Sequence, residues 1–239
     1  MSNTIILKSD TFKYPTKDER KEIGKLLPKM SRFIIQYKAA TIQILQNSII
    51  ENAIRNEDIY WWNNCLNNRL GKVIETYVYV IAHFQRHKKN SLVNLENSYT
   101  DKLLLDYYVE IFYYYFFSAR DVLGQVINLV CNLGFEEHRI FLNEQFIKKI
   151  QSDKIKQVLS NFSKETQDSY NIRNSFNHRF TPTNIDLRAK KNIIQECNKI
   201  SFYSAQEVKI ETFIKDIENL MKQFSQLMNE LDEEIKHCC

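Results

Sequence analysis

Residues 100–132 decide the fold, and they read TDKLLLDYYVEIFYYYFFSARDVLGQVINLVCN. Apolar side chains recur along this stretch at helical spacing, at Leu104, Tyr108, Ile111, Tyr115, Ala119, Val122, Val126 and Val130. The predicted helix is apolar nearly all round, and such a helix is buried by its neighbours. The run Tyr113 to Phe117 resembles a base-stacking platform, but at this spacing we interpret it as core. The stretch therefore predicts a long central helix, about 100–132, at the middle of a helical bundle.

The composition restricts the fold to few turns and long helices. The chain has 239 residues with 4 Gly and 3 Pro, whereas an average chain of this length would hold about 17 Gly and 12 Pro. Sandwiches, barrels, propellers and glycine-rich phosphate loops are therefore excluded. An all-α protein remains.

The clearest amphipathic pattern lies at the C-terminal end, in a predicted helix at about 205–236. Its apolar residues alternate three and four apart: Ile214, Ile217, Met221, Phe224, Met228, Leu231 and Ile235. This heptad seam packs along a neighbour, either within the bundle or across a dimer. The irregular region before it allows a small β-hairpin near 190–204.

The first half of the chain predicts three more helices, and no linker divides the chain. They lie at 17–27, from Pro28 in a first turn to about Arg55, and at about 70–86, with a polar connection over 87–98. His83 and His87 have helical spacing, but no HExxH pattern accompanies them, so we interpret them as a solvated helix end and predict no metal site. We expect one domain over 1–239, with an N-terminal extension at 1–29 and the bundle at 30–236.

Charge and hydropathy bear on location and partners. The formal net charge of +4 permits a nucleic-acid partner without requiring one. No run reaches the ~18 apolar residues of a membrane span, and the first residues lack a signal-peptide pattern. The five cysteines form no CxxC pair. We therefore expect a cytoplasmic protein with reduced thiols and no membrane partner.

One short segment carries candidate chemistry, residues 170–180, which read YNIRNSFNHRF. At 100° per residue, Ile172, Phe176 and Phe180 form a stripe that faces the core. The opposite side presents four polar side chains: Arg173, Asn174, Asn177 and His178. An arginine suits a phosphate and a histidine suits proton transfer, so the segment predicts a phosphodiester site.

The spacing from Arg173 to His178 resembles the R-x4–6-H motif of the HEPN superfamily. Asn174 stands where that superfamily typically has a polar residue directly after the arginine. The segment 117–125 resembles an earlier core helix of the family, which makes Asp121 the position that matches its acidic or polar residue. The resemblance implies an all-α bundle, and many HEPN proteins are metal-independent endoribonucleases of toxin–antitoxin, abortive-infection and CRISPR-linked systems.

The same resemblance implies a mechanism and an assembly. An RNA 2′-OH would attack the adjacent phosphate, with His178 as acid or base and Arg173 stabilising the charge. Asn174 and Asn177 would orient the phosphate or the histidine, and Asp121, if near, would hold His178 or Arg173. We expect a homodimer whose two motifs face one cleft, with RNA as substrate and neither cofactor nor metal.

Two other interpretations stay open. The chain could be a catalytically inactive HEPN-like module that binds nucleic acid or a partner protein, such as an antitoxin or a nucleotidyltransferase, through its terminal heptad helix. Alternatively, Arg173 and His178 could lie on the solvated face of an unrelated bundle. A cleft that exposes both side chains favours the enzyme, whereas burial or a salt bridge that consumes them favours the module.

Overall fold

The computed structural model of the protein describes residues 12–46, 48–178, 181–183, 189–194, 199–204 and 208–236. Within this part of the chain the secondary-structure elements are, in order, α1 (Lys17–Gly24), α2 (Ala40–Leu45), α3 (Ile50–Asn90), α4 (Leu95–Val130), a single 3-10 turn (Glu137–Arg139), α5 (Glu144–Lys149), α6 (Asp153–Glu165), α7 (Gln167–His178), β1 (Ala189–Ile194), β2 (Lys199–Ser204) and α8 (Ile210–Lys236). The predicted all-α bundle is confirmed.

Helices α3 and α4 form a long antiparallel hairpin that is the centre of the fold. Only residues 91–94 separate them, and Asn94 caps α4 by accepting a hydrogen bond from the Asn97 backbone N–H. The buried face of α4 is largely aromatic, with Phe112, Tyr113, Phe116 and Phe117 at most 1% exposed. The prediction of a central, buried helix at about 100–132 is therefore confirmed.

Helix α8 buries its heptad seam within the same chain. Phe224 packs against Phe116 of α4 at 5.2 Å and against Phe162 of α6 at 5.7 Å between ring centroids. The other seam residues are also at most 5% exposed. Of the two arrangements that the pattern allowed, packing inside the bundle is therefore the one observed.

The segment 28–39 is not helical, so the predicted helix from Pro28 to Arg55 is wrong. Several of its backbone groups form hydrogen bonds with side chains of other elements instead of bonds within a helix. Asn229 of α8 accepts a hydrogen bond from the Ser31 N–H and donates one to the Lys29 carbonyl, while Asn63 of α3 donates one to the Phe33 carbonyl. With Phe33 buried as well, tertiary contacts outweigh local helix propensity here.

Helix α3 is also longer than predicted, and this corrects the interpretation of His83 and His87. The helix runs on to Asn90, so these histidines face α4 instead of ending a helix in solvent. His83 is 1% exposed, its Nδ1 lies 3.0 Å from an Asp101 carboxylate oxygen, and its ring stacks on Tyr108. His87 contacts Ser98 through its own Nδ1.

Strands β1 and β2 pair antiparallel, with Ile193 opposite Ile200, at the residues where a hairpin was allowed. No helix in the described part of the chain is both long and apolar enough to span a bilayer.

Candidate functional site

Helix α7 carries four of the five predicted site residues and packs antiparallel on α4. The Phe176 ring lies 5.7 Å from Tyr113, and the Tyr170 ring lies 5.2 Å from Phe117. The pairing fixes the direction, because the end of α7 meets the earlier part of α4. The Arg173 to His178 segment is therefore beside residues 107–114 of α4.

The inward face of α7 includes the predicted Ile172 and Phe176, together with a serine that the sequence analysis did not select. Ser169 is 1% exposed and donates a 2.7 Å hydrogen bond to Asp216 of α8, whereas Ile172 and Phe176 are only half-buried. Ser169, Ile172 and Phe176 lie at i, i+3 and i+7 on this face, and Arg173 beside them is half-buried as well. A buried serine with a carboxylate partner carries no hydrophobic signal, so the sequence pattern missed it. Phe180 lies outside the described residues.

Asp216 also accepts a hydrogen bond of 2.6 Å from the Tyr113 hydroxyl of α4. Burial raises the pKa of Tyr113 far above its usual range, and the neighbouring carboxylate adds to this effect. Tyr113 therefore stays protonated and remains a donor. One carboxylate thus joins α4, α7 and α8 directly behind the candidate site.

Arg173 is half-buried and its guanidinium is only partly satisfied. One Nη atom donates a 3.1 Å hydrogen bond to the side-chain oxygen of Asn174. The Nε atom is buried and has no hydrogen-bond partner among the described residues, and no described carboxylate forms an ion pair with Arg173. A buried N–H without an acceptor is costly, and a guanidinium whose donors are only partly used is suited to binding an anion.

A cleft of about 210 Å³ opens between α4 and α7 at this arginine. From α7 it is lined by Arg173, Phe176 and Asn177, and from α4 by Tyr107, Glu110, Ile111 and Tyr114. This volume lies below the ~300–1,000 Å³ of typical small-molecule pockets. The cleft therefore has room for only a small ligand or for one part of a larger one.

The structure brings Arg173, Asn174 and Asn177 together and places His178 beside them, at the end of α7. Asn177 and His178 are exposed, and His178 does not line the cleft itself. Within the described residues His178 makes neither a hydrogen bond nor an ion pair. Its imidazole is therefore exposed at the end of α7, outside the cleft and one residue beyond Asn177.

Asp121 is not brought to this group. Its carboxylate pairs with the neighbouring Arg120 at 2.8 Å, and Arg120 lies over the Tyr170 ring at 4.6 Å. Because α4 and α7 run antiparallel, Asp121 lies beside the start of α7. Arg173 lies six residues after the start of α7, which places it about 9 Å further along the helix axis than Asp121.

The acid that the fold does place in the cleft is Glu110, which the sequence analysis did not select. Its carboxylate is exposed and forms no ion pair within the described part of the chain.

Tyr114 was also missed, because the run Tyr113 to Phe117 was interpreted wholly as core. That interpretation holds for Tyr113, Phe116 and Phe117, but Tyr114 is 51% exposed. The signal available was its position one turn after Glu110, on the polar edge of the helix.

Comparison with family models shows to which protein family this chain belongs. The family described as HEPN_Cthe2314-like HEPN matches residues 62–239, well over half of the chain. The protein belongs to this HEPN family. No curated protein and no solved structure matches it.

The HEPN match begins inside α3 and includes the rest of α3 and all of α4, α7 and α8. It therefore covers both sides of the cleft and every predicted site residue. The N-terminal elements α1 and α2 lie before the match.

Proposed function

We propose that this HEPN protein is a metal-independent endoribonuclease, acting as a toxin or phage-defence effector. The observation that carries the proposal is Arg173, which lines a cleft between α4 and α7 and whose buried Nε lacks an acceptor among the described residues. Neither Arg173 nor His178 is consumed by a salt bridge within the described residues. Of the two side chains that the enzyme interpretation expects in a cleft, Arg173 lines it and His178 is exposed just outside it.

In the proposed reaction the RNA 2′-oxygen attacks the adjacent phosphorus, and the bond from phosphorus to the 5′-oxygen breaks. The products are a 2′,3′-cyclic phosphate and a 5′-OH, so one proton leaves the 2′-OH and one is gained by the 5′-oxygen. Arg173 stabilises the charge that develops on the phosphate oxygens, which is typically worth 100-fold or more in rate. Asn174 holds the guanidinium, and Asn177 is placed to orient the phosphate.

His178 moves one of these protons as general base or acid. One imidazole does not serve both steps at once. In a two-fold dimer with two motifs in one cleft, a second copy of the chain would supply the other proton-transfer group. The exposed position of His178 at the end of α7 supports this arrangement.

The decisive experiment incubates the purified protein with mixed RNA in EDTA. Arg173→Ala and His178→Ala should each lower cleavage by about 100-fold or more, because each removes charge stabilisation or proton transfer. The matched controls are Arg139→Ala and His138→Ala, which remove the same residue types from exposed positions outside the cleft. Both controls should cleave as the wild type does, and a 2′,3′-cyclic phosphate should end the upstream product.

Two results would contradict the proposal. Cleavage that requires an added divalent metal would show a different mechanism, and full activity of His178→Ala would exclude this histidine. Circular dichroism of each variant separates loss of chemistry from loss of fold.

The second candidate function is a catalytically inactive module that binds an antitoxin or a nucleotidyltransferase. The terminal heptad helix is not available for this, since its seam is buried. Apolar side chains exposed near the N-terminal elements favour it instead, with Ile34 at 87%, Leu45 at 84% and Ile49 at 64%. A protein that cleaves no RNA but co-purifies with a partner encoded beside it would support this function.

A further inference from the structure

Three side chains of α4 form a continuous strip along the cleft. Tyr107, Glu110 and Tyr114 are spaced i, i+3 and i+7, so they share one face of the helix. The two tyrosines are 59% and 51% exposed, whereas Phe112, Tyr113, Phe116 and Phe117 of the same helix are at most 1% exposed. The strip faces the Arg173 guanidinium across the cleft, so an aromatic ring, a carboxylate and a cation surround one small space.

These three groups have distinct chemical preferences. An exposed aromatic ring stacks on the face of an unpaired base, whichever base it is. A guanidinium binds the phosphate of the same nucleotide. A carboxylate accepts hydrogen bonds from an exocyclic amino group, such as N4 of cytosine, and is repelled by a carbonyl oxygen in that position.

We propose that this cleft is a subsite for one unpaired nucleotide, in which Tyr114 stacks on the base, Arg173 binds its phosphate and Glu110 selects a base that carries an amino group. The proposal rests on the proposed ribonuclease function and names the substrate of that site as single-stranded RNA with cytosine favoured over uracil. Tyr107 extends the stacking surface by two helical turns. Duplex RNA is excluded, because its base faces are covered.

The test measures binding to the His178→Ala protein, so that cleavage does not remove the ligand. The probes are short labelled oligocytidylate and oligouridylate at neutral pH, whose bases have the same ring and differ in the amino or carbonyl group. Oligocytidylate should bind more tightly. Adding Tyr114→Ala should weaken binding of both probes by about 5-fold or more, whereas Tyr114→Phe keeps the stacking face and should retain binding.

Glu110→Ala should act on selectivity rather than on affinity alone. The ratio of the two affinities should fall towards one, while Glu218→Ala, which removes an exposed acid outside the cleft, should leave the ratio unchanged. Tyr99→Ala is the control for Tyr114→Ala, since Tyr99 is a 44% exposed tyrosine of α4 that does not line the cleft.

Several outcomes would overturn the proposal. If the Tyr114→Ala variant binds both probes as tightly as its parent protein, Tyr114 does not stack on the base. The ribonuclease function would still hold in that case, provided that the wild type cleaves RNA. Duplex RNA bound as tightly as single strands would also refute the subsite. A Tyr114→Ala protein whose mass by light scattering changes places this residue in a protein interface instead. Failure of the wild type to bind or cleave any RNA refutes the ribonuclease function together with the subsite.

Discussion

Glu19 and Arg86 form the ion pair that ties α1 to the central hairpin. The Arg86 Nε donates a 2.7 Å hydrogen bond to Glu19, and its guanidinium also donates to the carbonyls of Lys13 and Tyr14. Hydrogen bonding to Arg86 is the main cause that lowers the pKa of Glu19 from 4.5 to about 2. The pair therefore holds the N-terminal segment against the end of α3.

This shift predicts an acid-dependent loss of stability. Because the pKa of Glu19 is lower in the folded state, the contribution of this pair to the free energy of unfolding is complete above pH 4.5 and is lost as the pH falls through about 2. Wild type should exceed Glu19→Gln in unfolding free energy by about 1–2 kcal/mol at neutral pH, since solvent screening reduces a partly exposed pair. Urea unfolding at several pH values should show this difference vanish towards pH 2. A difference that is constant with pH would exclude the linkage.

At the scale of elements, the orientation of α7 depends on Asp216. Its carboxylate accepts hydrogen bonds from Tyr113 and Ser169, so it fixes the rotation of α7 that directs Arg173 into the cleft. The aromatic contacts of Phe176 with Tyr113 and Phe213 support the same orientation. The site therefore depends on α8, although none of its cleft residues comes from that helix.

We expect Asp216→Ala to destabilise the protein by about 1–3 kcal/mol, because it leaves two buried hydroxyls without an acceptor. Glu218→Ala removes an exposed acid from the same helix and should change the unfolding free energy by at most about 0.5 kcal/mol. Urea denaturation measures both variants. Equal midpoints for the two variants would show that the Asp216 contacts contribute nothing to stability.

At the scale of the whole molecule, the proposed chemistry needs a second proton-transfer group, which the proposed dimer would supply from a second chain. Light scattering should give twice the 28.6 kDa mass of one chain. Cleavage per chain should fall on dilution in parallel with the fraction of dimer, because each cleft would need two motifs. A monomeric mass with undiminished activity would contradict the dimer.

The sequence by itself determined the helical class and the central helix. Scarce Gly and Pro leave few turns, and an apolar helix such as α4 has no stable place except the interior. The sequence also predicted the heptad pattern of α8 and the spacing of Arg173 and His178 on one helix, since both depend on local periodicity alone. These features are properties of neighbouring residues along one helix.

Only the tertiary structure decided which residues share the site. Glu110 and Tyr114 meet Arg173 because α4 and α7 pack antiparallel, and that same pairing keeps Asp121 away. The rotation of α7 follows from the hydrogen bond between Ser169 and Asp216, two polar residues 47 positions apart. Hydrophobic periodicity cannot predict a contact of this kind. Likewise, side chains from α3 and α8 hold the segment 28–39 out of the helix that its own residues favoured. Contacts between distant residues therefore set the geometry of the site, while local pattern set the helices that carry it.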